Sequence, residues 1–322
     1  RVLDRSFALG ECEKEKFRAI MRMQENFTGC QVLAYCLMDN HFHLLLEIPP
    51  MPAEGLSDSH LLKRLSTIYN EIKVAEVNKE LKEARRRVKE GLADKSAICE
   101  IHERFTGRMH NLSQFMKGLL QKYTQWHNRT HNRCGTLWED RFKSVIVEDG
   151  LASRTMAAYI DLNPIRAQIV KEPAEYRWSS YGEAVGGIGS NAKAARAGLV
   201  RAWGAHEGKE ANAAYWEGKI FRGYRNMLIG TVPKCTSPNK KDKEELKRRV
   251  MEDDVISFVS MLRYRIRYFT DGAVIGSKLF VNQAFEKSRE RFGSRRKDGA
   301  RKLRGTGALA AEFLWSLRDL RT

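Results

Sequence analysis

Features that would place this chain in a class at a glance are mostly missing. Its 322 residues include only six cysteines. These are Cys12, Cys30, Cys36, Cys99, Cys134 and Cys235, with no Cys-x-x-Cys pair among them. That scatter argues against a zinc ribbon and against a disulfide framework, and a reducing cytoplasm fits it best. There is no run of about eighteen apolar residues and no secretory-type start, so neither a membrane span nor export is expected. Acidic residues are also in short supply: 40 against 57 lysines and arginines, a net charge of +17 and a pI near 9.7. Such an imbalance predicts a polyanionic partner, nucleic acid first, over a basic ribosome-like or membrane-surface protein. The hydrophobic fraction of 42% is ample for a packed core. The length favours two domains, or one domain with a large appendage.

What is present begins with Tyr35-Cys-Leu-Met-Asp-Asn-His-Phe-His-Leu-Leu-Leu-Glu47. Side chains alternate along a strand, so His41 and His43 point the same way and could form half of a divalent-metal site. Phe42, Leu44, Leu46 and Ile48 then fall on the opposite face, expected to be buried. The competing reading is a pair of structural histidines. Gln31 to Leu37 reads as the partner strand, Met38-Asp-Asn40 as the turn, and His41 to Ile48 as the return of a hairpin. An amphipathic helix is expected over Glu11 to Asn26, which makes a β-α-β beginning plausible. From Ser57 to about Arg108 the pattern is helical and highly charged, densest at Lys82 to Glu90. It is either a solvated face or a surface that tracks phosphates.

Asn111 to Asn128 buries Leu112, Phe115, Leu119 and Tyr123 at helical spacing, leaving Lys117, Lys122 and Gln125 to meet a sugar-phosphate backbone. His127 and His131 are four apart, but the sequence places no third ligand or base beside them, which weakens a zinc-hydrolase reading. Gly135 to Glu148 reads as a loop feeding a strand. There Trp138 and Phe142 are either stacking surfaces beside Arg141 and Lys143 or core. A helix from Leu151 to about Leu162 places Tyr159 and Asn163 one turn apart on one face, the geometry of a nucleophile beside a ligand. Asn163 reads equally as the N-cap of a helix from Ile165 to Val170, with Pro164 at its first position.

Taken in order, these stretches resemble the single-tyrosine HUH transposases, including the insertion-sequence and REP-associated members. The resemblance runs from the His41-Phe-His43 strand through Phe115-Met-Lys-Gly-Leu with Tyr123-Thr and Gly135-Thr-Leu-Trp-Glu-Asp-Arg-Phe-Lys-Ser. It continues through Tyr159-Ile-Asp-Leu-Asn-Pro-Ile-Arg-Ala to Trp178-Ser-Ser-Tyr181. It covers residues 1 to 185 and implies an α/β (α+β) ferredoxin-like domain with an antiparallel central sheet and a helical insertion at 57–108. It also implies metal ligands His41, His43 and Asn163, a magnesium or manganese ion, and Tyr159 as nucleophile. The implied substrate is single-stranded DNA near a hairpin, cut through a 5′-phosphotyrosine, in a homodimer. The family's first strand normally precedes the position of Arg1, so one sheet strand is expected to be missing. A domesticated protein that grips DNA or RNA hairpins without cutting is the alternative.

Beyond residue 185, Gly, Ala and Ser suggest a linker to about residue 200. Residues 201 to 230 then carry Trp203, Tyr215, Trp216, Phe221 and Tyr224 in a helical pattern. Between residues 240 and 304 there are 19 lysines and arginines against 10 acidic residues, a surplus of 9 out of the net +17. Helices over Asp253 to Phe269 and Asn282 to Phe292, around an Asp271-Gly272 turn, suggest a basic helical DNA-binding appendage like a helix-turn-helix. A solvated basic tail is the other reading.

Overall fold

The computed structural model describes residues 2–3, 8–204, 212–229, 272–302 and 314–318. The fold is mixed α and β and rich in helix. Compactness divides the chain into two interleaved units. The first holds residues 1–32, 39–41 and 46–140, and the second holds 33–38, 42–45 and 141–322. The strands of one hairpin, β1 (Gln31–Leu37) and β2 (Phe42–Glu47), pass through both. Their four-residue connection leaves only the antiparallel arrangement, because a parallel pair needs a crossover of a dozen residues or more.

In the first unit, helix α1 (Glu11–Thr28) ends at Gly29, whose φ of 73° closes the last turn in the left-handed conformation that glycine adopts without strain. It packs along α5 (Leu112–Thr130), with Phe17 edge-on to Tyr123 at 5.1 Å between ring centroids. Trp138 joins this cluster 5.9 Å from Tyr123 and donates its indole N–H to Thr124 Oγ1 at 2.9 Å, so its ring serves the core. The charged insertion is three helices, α2 (Asp58–Leu65), α3 (Glu71–Lys89) and α4 (Ser96–Thr106). Leu61, Leu65, Val77, Leu81 and Phe105 close a core of their own between them. Part of the charge of this insertion is paired internally, Arg85 with Asp58, Arg86 with Glu83 and Glu90, Lys73 with Glu76 and Arg104 with Glu80, while Lys82, Arg87 and Lys89 are exposed.

The second unit is built on α6 (Leu151–Asp161), a short α7 (Asn163–Arg166), α8 (Ser180–Gly186), α9 (Gly189–Gly204) and α10 (Lys219–Ile229). The stretch read as a linker after Gly186 is therefore helix α9. Its alanines, the best helix formers, bury Ala192, Ala195 and Ala202 in close contact with neighbouring helices. A four-stranded sheet in the order β3-β4-β6-β5 lies in the same unit, made of Ile146–Val147, Gly272–Gly276, Trp315–Arg318 and Arg301–Lys302. Strand β3 runs parallel to β4, and β6 is antiparallel to both β4 and β5. Helix α11 (Lys278–Lys287) covers this sheet through Val281 and Phe285, against Val274, Ala300 and Leu317.

The basic C-terminal region is thus not simply helical: Gly272, read as part of a turn, opens strand β4. Alternating Ala273, Val274 and Ile275 suit a pleated, covered strand better than a turn. The expected helix over Asp253–Phe269 lies outside the described residues.

The segment Tyr176–Tyr181 lies along the edge of β1. Leu37 donates its N–H to the Trp178 carbonyl at 2.9 Å, Cys36 and Ser179 form an antiparallel bridge, and the Tyr35 N–H reaches Ser180 Oγ at 2.6 Å. The Tyr176 hydroxyl donates to the Leu37 carbonyl at 2.6 Å. The Trp178-Ser-Ser-Tyr181 motif therefore supplies β1 with a second, irregular neighbour and satisfies an edge otherwise left open.

Candidate functional site

Helix α6 carries Tyr159 on a face that is closed on every side, and the residue is 1% exposed. Alanines at 157 and 158 let the helix sit close to its neighbours, and Tyr159 is the large side chain that fills the space. The His43 ring, on the second residue of β2, meets the phenol ring edge-on with 6.2 Å between centroids. On the phenol's face lies the Arg166 guanidinium, 4.0 Å from the ring centroid, and its Nη2 donates to the Tyr159 carbonyl at 2.7 Å. Burial pulls the Arg166 pKa down, and the neighbouring Tyr159 opposes the shift. Tyr159, Asn163 and Arg166 are spaced i, i+4, i+7, which brings all three to one side of the α6–α7 corner.

Asn163 does not cap α7. It is the first residue of that four-residue helix, Leu162 stands at the N-cap, and the expected helix from Ile165 to Val170 is absent. Instead its Nδ2 donates back to the carbonyls of Tyr159 at 3.3 Å and Ile160 at 3.0 Å, two of the acceptors that the end of α6 leaves unsatisfied. Because both partners are acceptors, they fix which amide atom is nitrogen, and Oδ1 is directed away from them.

His41 precedes β2 rather than lying in it, and its Nδ1 is 2.6 Å from Asn40 Oδ1. The turn it belongs to is tied down within the first unit: Val2 donates to the Asn40 carbonyl, Leu9 to the Asp39 carbonyl, and Lys14 pairs with the Asp39 carboxylate at 2.5 Å.

The alternation expected of β2 is not found. Phe42, Leu44, Leu46 and Ile48 are half-buried, while the buried residue is Leu45, which shares its parity with the histidines. A strand covered partly on both faces has no single apolar side.

The remaining residues expected to meet DNA are dispersed. Lys117 is exposed and lines a shallow groove on α5 with Gln121, Thr124, Gln125 and Asn128, whereas Lys122, five residues on, is half-buried on another side of the helix. Arg141 and Lys143 are exposed in the second unit, next to Phe142, which is 36% exposed. His127 and His131 stack with 4.3 Å between ring centroids, and His131 Nε2 meets Glu13 Oε1 at 3.0 Å, a partner that sequence spacing does not reveal. Among the described residues no three His, Cys, Asp or Glu side chains are grouped to hold a metal ion.

Comparison with family models, curated proteins and solved structures gives no match to this chain. The site is therefore read from its own residues. Three that sequence reasoning missed hold it together. Asp161, fully buried, accepts from the Tyr224 hydroxyl at 2.6 Å and from the Tyr181 N–H at 3.0 Å. Burial drives its pKa up to about 7, with these hydrogen bonds pulling the other way. Glu183, also buried, bonds the Tyr35 hydroxyl of β1. Arg166 is the third. A lone acid inside Ala157-Ala-Tyr-Ile-Asp-Leu162, and a cation seven residues after the candidate nucleophile, were the available signals.

Proposed function

We propose that this chain is a metal-dependent single-stranded DNA endonuclease and strand transferase, with Tyr159 as nucleophile. One observation carries the reading: a phenol from α6 meets an imidazole of a β-strand edge-on and carries a buried guanidinium over its face. This is a set of groups suited to holding a nucleophile against a phosphate. The donors suit a divalent ion as well. His43 and the directed Oδ1 of Asn163, with His41 two residues earlier in the chain, offer two imidazoles and one amide oxygen, a set that suits manganese better than magnesium. Such an ion would supply positive charge to the non-bridging oxygens of the scissile phosphate.

The chain's own part is the displacement. The Tyr159 oxygen bonds to phosphorus and gives up its proton, the bond to the 3′ oxygen breaks, and that oxygen leaves as a hydroxyl after taking a proton. One phosphodiester replaces another, so a second 3′-hydroxyl can reverse the step without ATP. Arg166 holds the ring by stacking while its N–H fixes the backbone below. Since the phenol is closed off, an unpaired strand has to open the α6–α7 corner to reach it.

That burial also favours a second reading, in which Tyr159 is a core residue of a protein that grips hairpins without cutting them. Incubating labelled hairpin DNA with Mn²⁺ separates the two. Cleavage predicts a denaturant-resistant protein–DNA adduct that Tyr159→Phe abolishes while DNA binding persists. No adduct from the wild type, or an adduct of undiminished yield in Tyr159→Phe, refutes the nuclease reading.

A further inference from the structure

Among the described residues two runs of cations stand out, and they differ in balance. The helical insertion, residues 57–108, holds twelve lysines and arginines against nine acidic residues, and Arg85, Arg86 and Arg104 pair with its own carboxylates. Residues 272–302 hold nine lysines and arginines against three acidic residues. Lys278, Arg291, Arg295, Lys297, Arg301 and Lys302 are all exposed. None of these six makes an ion pair or a side-chain hydrogen bond with another described residue.

Their placement is built. The loop between α11 and β5 is held from inside by two other arginines. Arg289 donates to the carbonyls of Phe292, Gly293 and Ser294, and Arg296 to those of Asp298 and Gly299. Both also stack on Phe285. The exposed cations are presented by the first residue of α11, by this ordered loop and by β5, the outer strand of its sheet. Lys302 sits opposite Trp315 in the β5–β6 register, and the ammonium groups of Lys278 and Lys302 lie 5.3 and 5.6 Å from the indole.

Lysine on an edge strand also guards against aggregation, but that accounts for Arg301 and Lys302 and not for the loop. Six like charges held close together repel one another, and the cost falls when a polyanion displaces their counterions. A membrane surface would ask for an exposed apolar face as well, and here the apolar side chains Val274, Val281, Phe285 and Leu317 are spent on the core.

We propose that the exposed cations from Lys278 to Lys302 form a grip for the phosphodiester backbone of nucleic acid, independent of base sequence. It acts whether or not Tyr159 cuts. The test uses the full chain carrying Tyr159→Phe and a fluorescent single-stranded oligonucleotide, with anisotropy measured across a salt series.

Replacing Arg291, Arg295, Lys297 and Lys302 with Gln is expected to leave the melting temperature unchanged, to weaken binding at least tenfold at low salt, and to flatten the slope of log K against log salt by roughly 3, at about 0.7 per lost phosphate contact. Lys73→Gln with Arg86→Gln, two cations paired within the insertion, is expected to change the slope by less than about 1. Unchanged slope and affinity in the fourfold variant would overturn the proposal. So would loss of binding to phosphatidylserine vesicles with oligonucleotide binding intact.

Discussion

Tyr159, Arg166 and Asp161 sit within eight positions of one another and do three different jobs. Arg166 contributes a stacked cation and a charged hydrogen bond, worth respectively about 1 and about 2 kcal/mol at a buried position. Arg166→Ala is therefore expected to lower unfolding free energy by about 3 kcal/mol in urea titration. Arg166→Lys is expected to recover less than half, because an ammonium neither stacks nor reaches as a planar fork does. Asp161 works against the fold at neutral pH. Its folded pKa, near 7, lies above the ordinary value of 3.8, so the stability it confers is complete below about pH 4 and is lost as pH rises through 7. The loss amounts to at most roughly 4 kcal/mol, at about 1.36 kcal/mol per unit. Asp161→Asn is expected to flatten the dependence of the urea midpoint on pH between about 4 and 7. The sequence revealed Tyr159 and Asn163 through their spacing. It did not reveal that Asn163 faces back along α6, because Asn-Pro is equally good N-cap chemistry and only the carbonyls of Tyr159 and Ile160 decide between them.

At the scale of elements, periodicity was readable wherever one face alone is buried. Helix α1 and the hairpin fall close to where apolar spacing puts them, and the insertion is helical, as its pattern suggests. It failed where burial is two-sided or borrowed: β2 has no apolar face, and α9 is composed like a linker and becomes a helix through its alanines. The Trp178-Ser-Ser-Tyr181 stretch has no period, since its job is to follow β1 through side-chain and backbone bonds. Its closest approach is at Gly182, where an added Cβ would lie 2.0 Å from the Tyr176 carbonyl oxygen. Backbone cannot yield there as a side chain can. Gly182→Ala is expected to cost about 2–3 kcal/mol, read as a lowered denaturation midpoint, and to loosen the register of β1.

On the scale of the whole molecule, the composition predicts a polyanionic partner and no membrane-spanning helix, and no described helix is long and apolar enough to cross a bilayer. It did not foretell how the chain is shared out. The second unit draws residues 33–38 and 42–45 from far upstream, while the tip of the same hairpin, residues 39–41, belongs to the first. A cut at the obvious place, between Asp140 and Arg141, would leave the downstream half incomplete. The downstream fragment would lack the strand that Trp178, Ser179 and Ser180 are shaped to meet, and His43 with it. Such a fragment should remain unfolded alone and regain cooperative melting when a synthetic peptide spanning Gln31 to Ile48 is added. The downstream half of this protein is completed by a strand laid down about a hundred residues before it begins.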